Sequence, residues 1–235
     1  MAAAVEYYNA TAQNYDALHS IEPEHTRAME LGWPLVGEVS SALDVGCGTG
    51  RSLTWINQQN PHLKLLGVEP SQAMLDIATR NLPTASFHCG SGEVLPYPDA
   101  FVDVAVATGI MHHVDDPSKV ISEMFRVSRK AILISDHNNY AFGGDLMRRI
   151  RMGLKLTGLF KAVTYVRQGF NHRGYSEEDG WWYPYSLLDN YAEIAKRSEK
   201  VFMFPTRRPS SDSNFIFSQS HFGIVAIKPR FDFNP

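Results

Sequence analysis

The sequence predicts an α/β protein: a seven-stranded, mostly parallel sheet with helices on both faces. Three observations predict it. Short β-branched runs alternate with helical patterns across residues 41–136, the signature of βαβ units. The run ALDVGCGTGRS (42–52) carries three glycines in five positions straight after the first strand. An acid, Glu69, ends the second strand about twenty residues further on.

The elements follow in order. Residues 1–40 read as two short helices ahead of the sheet. Strands are expected at 41–45 (SALDV), 64–68 (KLLGV), 85–89 (ASFHC), 102–107 (VDVAVA) and 130–135 (KAILIS). Helices are expected between them at 50–59, 71–81 and 117–128. Ser71 is placed to cap the second of these. Pro117, with acids just before it, opens the third. Residues 139–198 break the alternation: they are aromatic, irregular and basic in places. Two more strands, 199–204 and 221–228, flank the polar RRPSSDSN and complete the sheet.

Composition narrows the function. The 235 residues, 44% hydrophobic and 20% charged, suffice for one well-buried core. A net charge of −3 gives no bulk attraction to nucleic acid, so no nucleic-acid partner is expected. No run of eighteen apolar residues occurs, so no transmembrane segment is expected. The opening MAAAVEYYNATAQNYD has neither a basic n-region nor an apolar core, so no signal peptide is expected. Cys47 and Cys89 cannot build a disulfide framework, and the cytoplasm is the default compartment. No His/Cys/Asp cluster shows metal-ligand spacing, and His19 and His25 stand alone in the chain, so no metal site is expected.

The glycine loop sits where open α/β sheets bind ligands, at the carboxyl ends of the strands. Gly46, Gly48 and Gly50 permit a tight turn and close approach. A dinucleotide site would want Gly or Ala where Arg51 stands. Asp44 argues the same way, because its carboxylate would repel a pyrophosphate and attract an ammonium or sulfonium. Glu69 would serve either ligand's ribose. Together they fit S-adenosylmethionine, its cationic end at Asp44 and its ribose at Glu69.

On these residues the chain resembles the class I S-adenosylmethionine-dependent methyltransferases of small-molecule type, those of the methyltransferase domain 11 kind. ALDVGCGTG is similar to that family's first motif, GVEPSQAML to its ribose-binding acid and following helix, and GSGEVLPYPDAFVDVAVATGIMHHV to its adenine-side loop and fourth strand. DDPSKVISEMFRVSR is similar to the next helix. The likeness covers residues 5–136 well and the remainder weakly. It implies a Rossmann-like fold and S-adenosylmethionine as cofactor. Tyr15, Asp44, Gly46, Cys47, Gly48, Gly50, Glu69, Pro70, Met74, Ser91, Gly92, Glu93 and Thr108 are then the implied cofactor residues. The family often has an acid where Ser91 stands. Tyr8 and Tyr15 fall on a helix that closes over the methionine end. The chain divides into a helical cap (1–40), a cofactor-binding core (41–136), a lid over the acceptor (139–198) and a final strand pair (199–235), all one domain.

Methyl transfer needs an acceptor lone pair in line with the S–CH₃ bond and water kept out. A hydroxyl acceptor also needs a base. In similar O-methyltransferases a histidine and an aspartate at these strand ends act as base and partner. The alignment puts the family's histidine on His113, with Asp136 in support, and leaves His112 as a packing or supporting residue. Strand alternation points His137 to the other side. In the lid, Arg148 and Arg149 suit an anionic acceptor or a surface approaching lipid headgroups, and Trp181, Trp182, Tyr183 and Tyr185 suit a stacked ring. The expected activity is methyl transfer to a small-molecule hydroxyl, a sugar or natural product. N- or C-methyl transfer by alignment alone, a non-catalytic cofactor-binding subunit and an NAD-dependent oxidoreductase are the rivals. Oligomeric state is not legible.

Overall fold

The computed structural model describes residues 2–18, 23–177, 179–207 and 219–229. Two helices come first, α1 (Ala2–Leu18) and α2 (Pro23–Val36). The core then alternates: β1 (Ser41–Val45), α3 (Arg51–Gln59), β2 (Lys64–Glu69), α4 (Gln72–Asn81), β3 (Ser86–Cys89), β4 (Val102–Thr108), α5 (Pro117–Val127) and β5 (Ser128–His137). The insertion holds α6 (Asp145–Leu156), α7 (Phe160–Arg167), the hairpin β6 (Gly174–Ser176) and β7 (Gly180–Trp182), and α8 (Tyr191–Lys196). β8 (Lys200–Pro205) and β9 (His221–Ile227) close the chain's sheet.

The sheet has seven strands in the order β3-β2-β1-β4-β5-β9-β8. β1 to β5 pair in parallel, and β9 runs antiparallel between β5 and β8. β1 and β4 lie at the centre, which explains their nearly unbroken burial: both faces are covered by helices. The strand order reverses between β1 and β4, so the crevice that binds ligands in such sheets lies over those two tips.

The helices form where caps and apolar faces agree. Asp116 caps α5 by accepting from the N–H groups of Ser118 (3.1 Å) and Lys119 (3.3 Å), and Pro117 fills the first position. That helix buries Val120, Ile121, Met124, Phe125 and Val127 against the sheet. Each such side chain contributes roughly 1.5–3 kcal/mol. Ser71 caps α4 through the Met74 N–H. β5 runs longer than expected, from 128 to 137, because β9 pairs with it from Ala131 to His137 and carries the strand out to its tip. The β6–β7 hairpin was not legible as strands. It packs against α1, where the Tyr7 hydroxyl donates to the Glu177 carbonyl at 2.8 Å. His19 and much of the RRPSSDSN segment lie outside the described residues.

Candidate functional site

The glycine loop builds one wall of a cavity over the switch point. Gly46 (φ 71°) and Gly48 (φ 51°) occupy the left-handed region, where a side chain would be strained. The turn lets the Gly46 N–H reach the Val68 carbonyl at 2.7 Å. It also lets the Gly48 N–H donate to Glu69 Oε2 at 3.2 Å, while the Ser71 N–H donates to Oε1 at 3.0 Å. Glu69 is therefore fixed by backbone at the end of β2. Burial pushes its carboxyl up to about 7, against the pull of those two N–H groups. Gly46, Gly48, Glu69, Pro70, Met74, Ser91, Gly92, Thr108 and Tyr15 all line the cavity, about 110 Å³ with α1 packed down. Tyr8 of α1 closes the far side.

Asp44 lies beneath the loop, 1% exposed. Burial, then the neighbouring Glu69, raises its carboxyl to about 8. Its Oδ1 has no hydrogen-bond partner among the described residues. A buried acceptor left unpaired is costly, and a cationic group above the loop would relieve it. Two buried acids and a collar of glycine thus fit a ligand with a cationic end and a diol.

Four of the expected cofactor residues do not line this cavity. Asp44 is under it. Gly50 ends the loop at φ 85° and starts α3. Cys47 faces a smaller neighbouring cavity, and Gly67 leaves room for its sulfur, since a Cβ there would stand 2.7 Å from Sγ. Glu93 Oε1 accepts from the Asp116 N–H at 3.1 Å and so braces the start of α5.

Beyond Thr108, Gly109, Tyr15 and His113 the cavity adjoins a polar chamber of about 260 Å³ that shares those four residues. Histidines dominate its wall: His25, His112, His113, His137 and His221, with Asp179, Arg51 and Arg207. Here the structure corrects the expected dyad. Asp136 Oδ1 pairs with His112 Nδ1 at 2.7 Å, not with His113. Asp136 Oδ2 accepts from the Met111 N–H at 2.7 Å, and the His137 N–H donates back at 2.6 Å. His113 instead donates Nδ1–H to the Trp181 carbonyl at 2.8 Å. Both Nε2 atoms face Asp179, His112 at 3.4 Å and His113 at 3.3 Å.

Electrostatics divide the chamber. Burial works against a charge on His112, but Asp136 and then Asp179 outweigh it and push the imidazole up to about 10. Burial likewise opposes ionisation of Asp136 and Asp179, and their histidine partners hold both well below the usual carboxylate range. Burial, then the charge on His112, holds His137 down to about 3. Burial and His137 hold His221 down to about 2. His137 belongs to the chamber, its ring centroid 4.1 Å from that of His112. Alternation fails as a guide there because the chamber wraps the open tip of β5. Groups that the sequence spacing does not show come together in space: His112, His113 and Asp179 converge, as do His112, Asp136 and His137.

The expected acceptor residues lie elsewhere. Arg148 and Arg149 sit on α6, Arg148 beside Asp145 at 3.6 Å and Arg149 exposed. Tyr185 is buried, donating to Asn190 Oδ1 at 2.9 Å. Tyr183 donates to Asp115 at 2.6 Å, and Trp182 lines a separate apolar cavity under α6 and α7. Trp181 packs on Tyr175 and reaches the chamber only through its carbonyl. The arginines at the chamber are Arg51, over the Tyr15 ring, and Arg207, paired with Glu24.

The family described as a methyltransferase domain matches residues 43–133. An uncharacterized methyltransferase of Mycobacterium leprae is 30% identical over 185 residues, 76% of this chain and 65% of that one. A dTDP-4-amino-2,3,4,6-tetradeoxy-D-glucose N,N-dimethyltransferase of Saccharopolyspora spinosa is 32% identical over 126 residues, 49% of each chain. The chain spans 27 to 65% of the length of the first curated relatives it matches. A solved SAM-dependent methyltransferase from Thermotoga maritima superposes with a TM-score of 0.64 over 96% of this chain and 100% of its own, at 18% identity, which shows a shared fold.

Proposed function

We propose, from the premise that the chain belongs to the class I S-adenosylmethionine-dependent methyltransferases, that it methylates a hydroxyl oxygen on a small polar acceptor. The observation that carries the reading is the junction of two cavities. The one bounded by Gly46, Gly48 and Glu69 opens through Thr108, Gly109 and His113 into the histidine-lined chamber. The cofactor supplies an electrophilic methyl on a sulfonium.

This chain's residues do the rest. Glu69 accepts from a ribose diol with the lone pairs that Gly48 and Ser71 leave free. Asp44 favours a cation above the loop and gains most when ionised. Tyr8 and Tyr15 shut water out from the α1 side. With α1 in place the cavity, about 110 Å³, is small beside the 300–1,000 Å³ or so usual for ligand sites. Arg207 and the chamber's neutral histidines orient the acceptor. Among the chain's own atoms, His113 Nε2 is the one placed to take the hydroxyl proton. Its Nδ1–H is committed to the Trp181 carbonyl, and it borders both cavities. A positioned base contributes roughly 10²–10⁴ in rate.

The test is transfer of labelled methyl from S-adenosylmethionine to a panel of sugars and phenols, set beside matched amines. The reading expects label on oxygen, with His113→Ala lowering kcat roughly 10²-fold or more and S-adenosylhomocysteine affinity unchanged. Label on nitrogen alone, with His113→Ala fully active, would overturn it.

A further inference from the structure

We propose that His112, His113 and Asp179 form a binding site for a first-row divalent transition cation such as Zn²⁺ or Co²⁺. The argument starts from tautomers. The Trp181 carbonyl can only accept, so His113 donates from Nδ1 and leaves Nε2 for another partner. Asp136 takes two backbone N–H groups as well as His112, as an ionised carboxylate does, so His112 also donates from Nδ1. Both Nε2 atoms then point at the carboxylate of Asp179. Two rings and a carboxylate so placed hold something positive between them, a proton or a metal ion.

A proton and a metal ion ask for different spacings. A charged N–H···O bond closes to about 2.7–2.9 Å. Donor atoms around a tetrahedral cation, with bonds of about 2.0–2.1 Å, stand about 3.3 Å apart. The observed separations are 3.4 Å from His112 Nε2 to Asp179 Oδ2 and 3.3 Å from His113 Nε2 to Asp179 Oδ1, so the carboxylate offers one oxygen to each ring. The donor atoms of all three residues lie within 4.8 Å of one another. His112 Nε2 is buried in a residue 4% exposed and makes no hydrogen bond among the described residues.

The outer contacts repeat a pattern typical of metal sites. Each histidine ligand donates its other N–H, here to the Asp136 carboxylate and to the Trp181 carbonyl, which fixes ring and tautomer. Two imidazoles and one carboxylate suit a transition ion better than Mg²⁺ or Ca²⁺, which prefer oxygen. Three protein ligands leave a position open to the chamber. The site stands on donor geometry alone. Its consequence rests on the transfer reading: a cation there would polarise an acceptor hydroxyl and take over the task given above to His113.

The experiment uses the full chain, stripped with chelator and dialysed, with neither cofactor nor acceptor present. Co²⁺ is titrated while visible absorption is followed, and Zn²⁺ is measured by equilibrium dialysis. One ion per chain is expected, with d–d bands of a four- or five-coordinate N/O site. Asp179→Asn and His113→Ala should each weaken binding at least ~10-fold, whereas His172→Ala, an exposed lid histidine, should not. Asp179 is over a third exposed on the β6–β7 hairpin, so its variant is expected to fold, and S-adenosylhomocysteine affinity checks this separately. Absence of binding in the wild type, or equal binding by Asp179→Asn, would overturn the site and leave the transfer reading to its own test.

Discussion

Asp136 anchors His112 rather than His113. One carboxylate oxygen takes the His112 Nδ1–H at 2.7 Å and the other takes the Met111 N–H at 2.7 Å. The two adjacent histidines therefore leave β4 in different company, His112 clamped to the tip of β5 and His113 turned toward the cavity wall.

This clamp is wholly buried, so breaking it should be costly. Asp136→Ala strands His112 and the Met111 N–H without an acceptor. It is expected to lower unfolding free energy by about 3 kcal/mol. Asp136→Asn keeps one acceptor and should lose less. Urea midpoints of the two variants check the order, and equal midpoints for wild type and alanine variant would refute it.

Asp44 and Glu69 predict a pH dependence with a definite sign. Burial raises the folded-state carboxyl of Asp44 from 3.8 to about 8, and that of Glu69 from 4.5 to about 7. Across that window these two carboxyls hold more protons in the folded chain than in the unfolded one, so their contribution to stability falls as pH rises. The charged group that weighs on Asp44 is Glu69; the nearby Cys47 thiol is itself pushed up by burial and then by Asp44. Below about pH 6.5 His137 and His221, held down in the folded chain, act with the opposite sign, so ligand-free protein should lose melting temperature from about pH 6.5 to about pH 8, and Asp44→Asn should lose less. S-adenosylmethionine should bind more tightly over the same rise, as Asp44 ionises beneath its cationic end. A flat or rising melting curve in the wild type would contradict the assignment.

Acceptor recognition should follow the chamber rather than the lid helix. Arg207→Ala is expected to raise the acceptor KM about tenfold, or ~1.4 kcal/mol. Arg149→Ala lies on exposed α6 and should leave KM within a factor of about two. Steady-state kinetics on both variants decide it. The reverse pattern would return the acceptor to α6.

The sheet and the cofactor wall were legible because their residues are local. Gly46, Gly48 and Glu69 sit at consecutive strand tips, and strand order alone brings them together. The histidine-lined chamber was not, because its parts meet only through tertiary pairing. Asp179 arrives on a three-residue-strand hairpin with no strand pattern of its own, and His221 arrives by the pairing of β9 with β5. In the pair His112–His113, one residue of turn decides which ring faces Asp136, and periodicity cannot resolve that. Trp182 and Tyr185 read as stacking residues but wall other cavities, since an aromatic run serves a small core as well as a ring site.

The central claim is that the cofactor's reactive end opens into the histidine chamber. A crystal structure with S-adenosylhomocysteine measures this directly. The account predicts the ribose diol on Glu69 and the sulfur at the opening between Thr108, Gly109 and His113. A sulfur turned instead toward Trp55 and Cys47, away from His113, would contradict it.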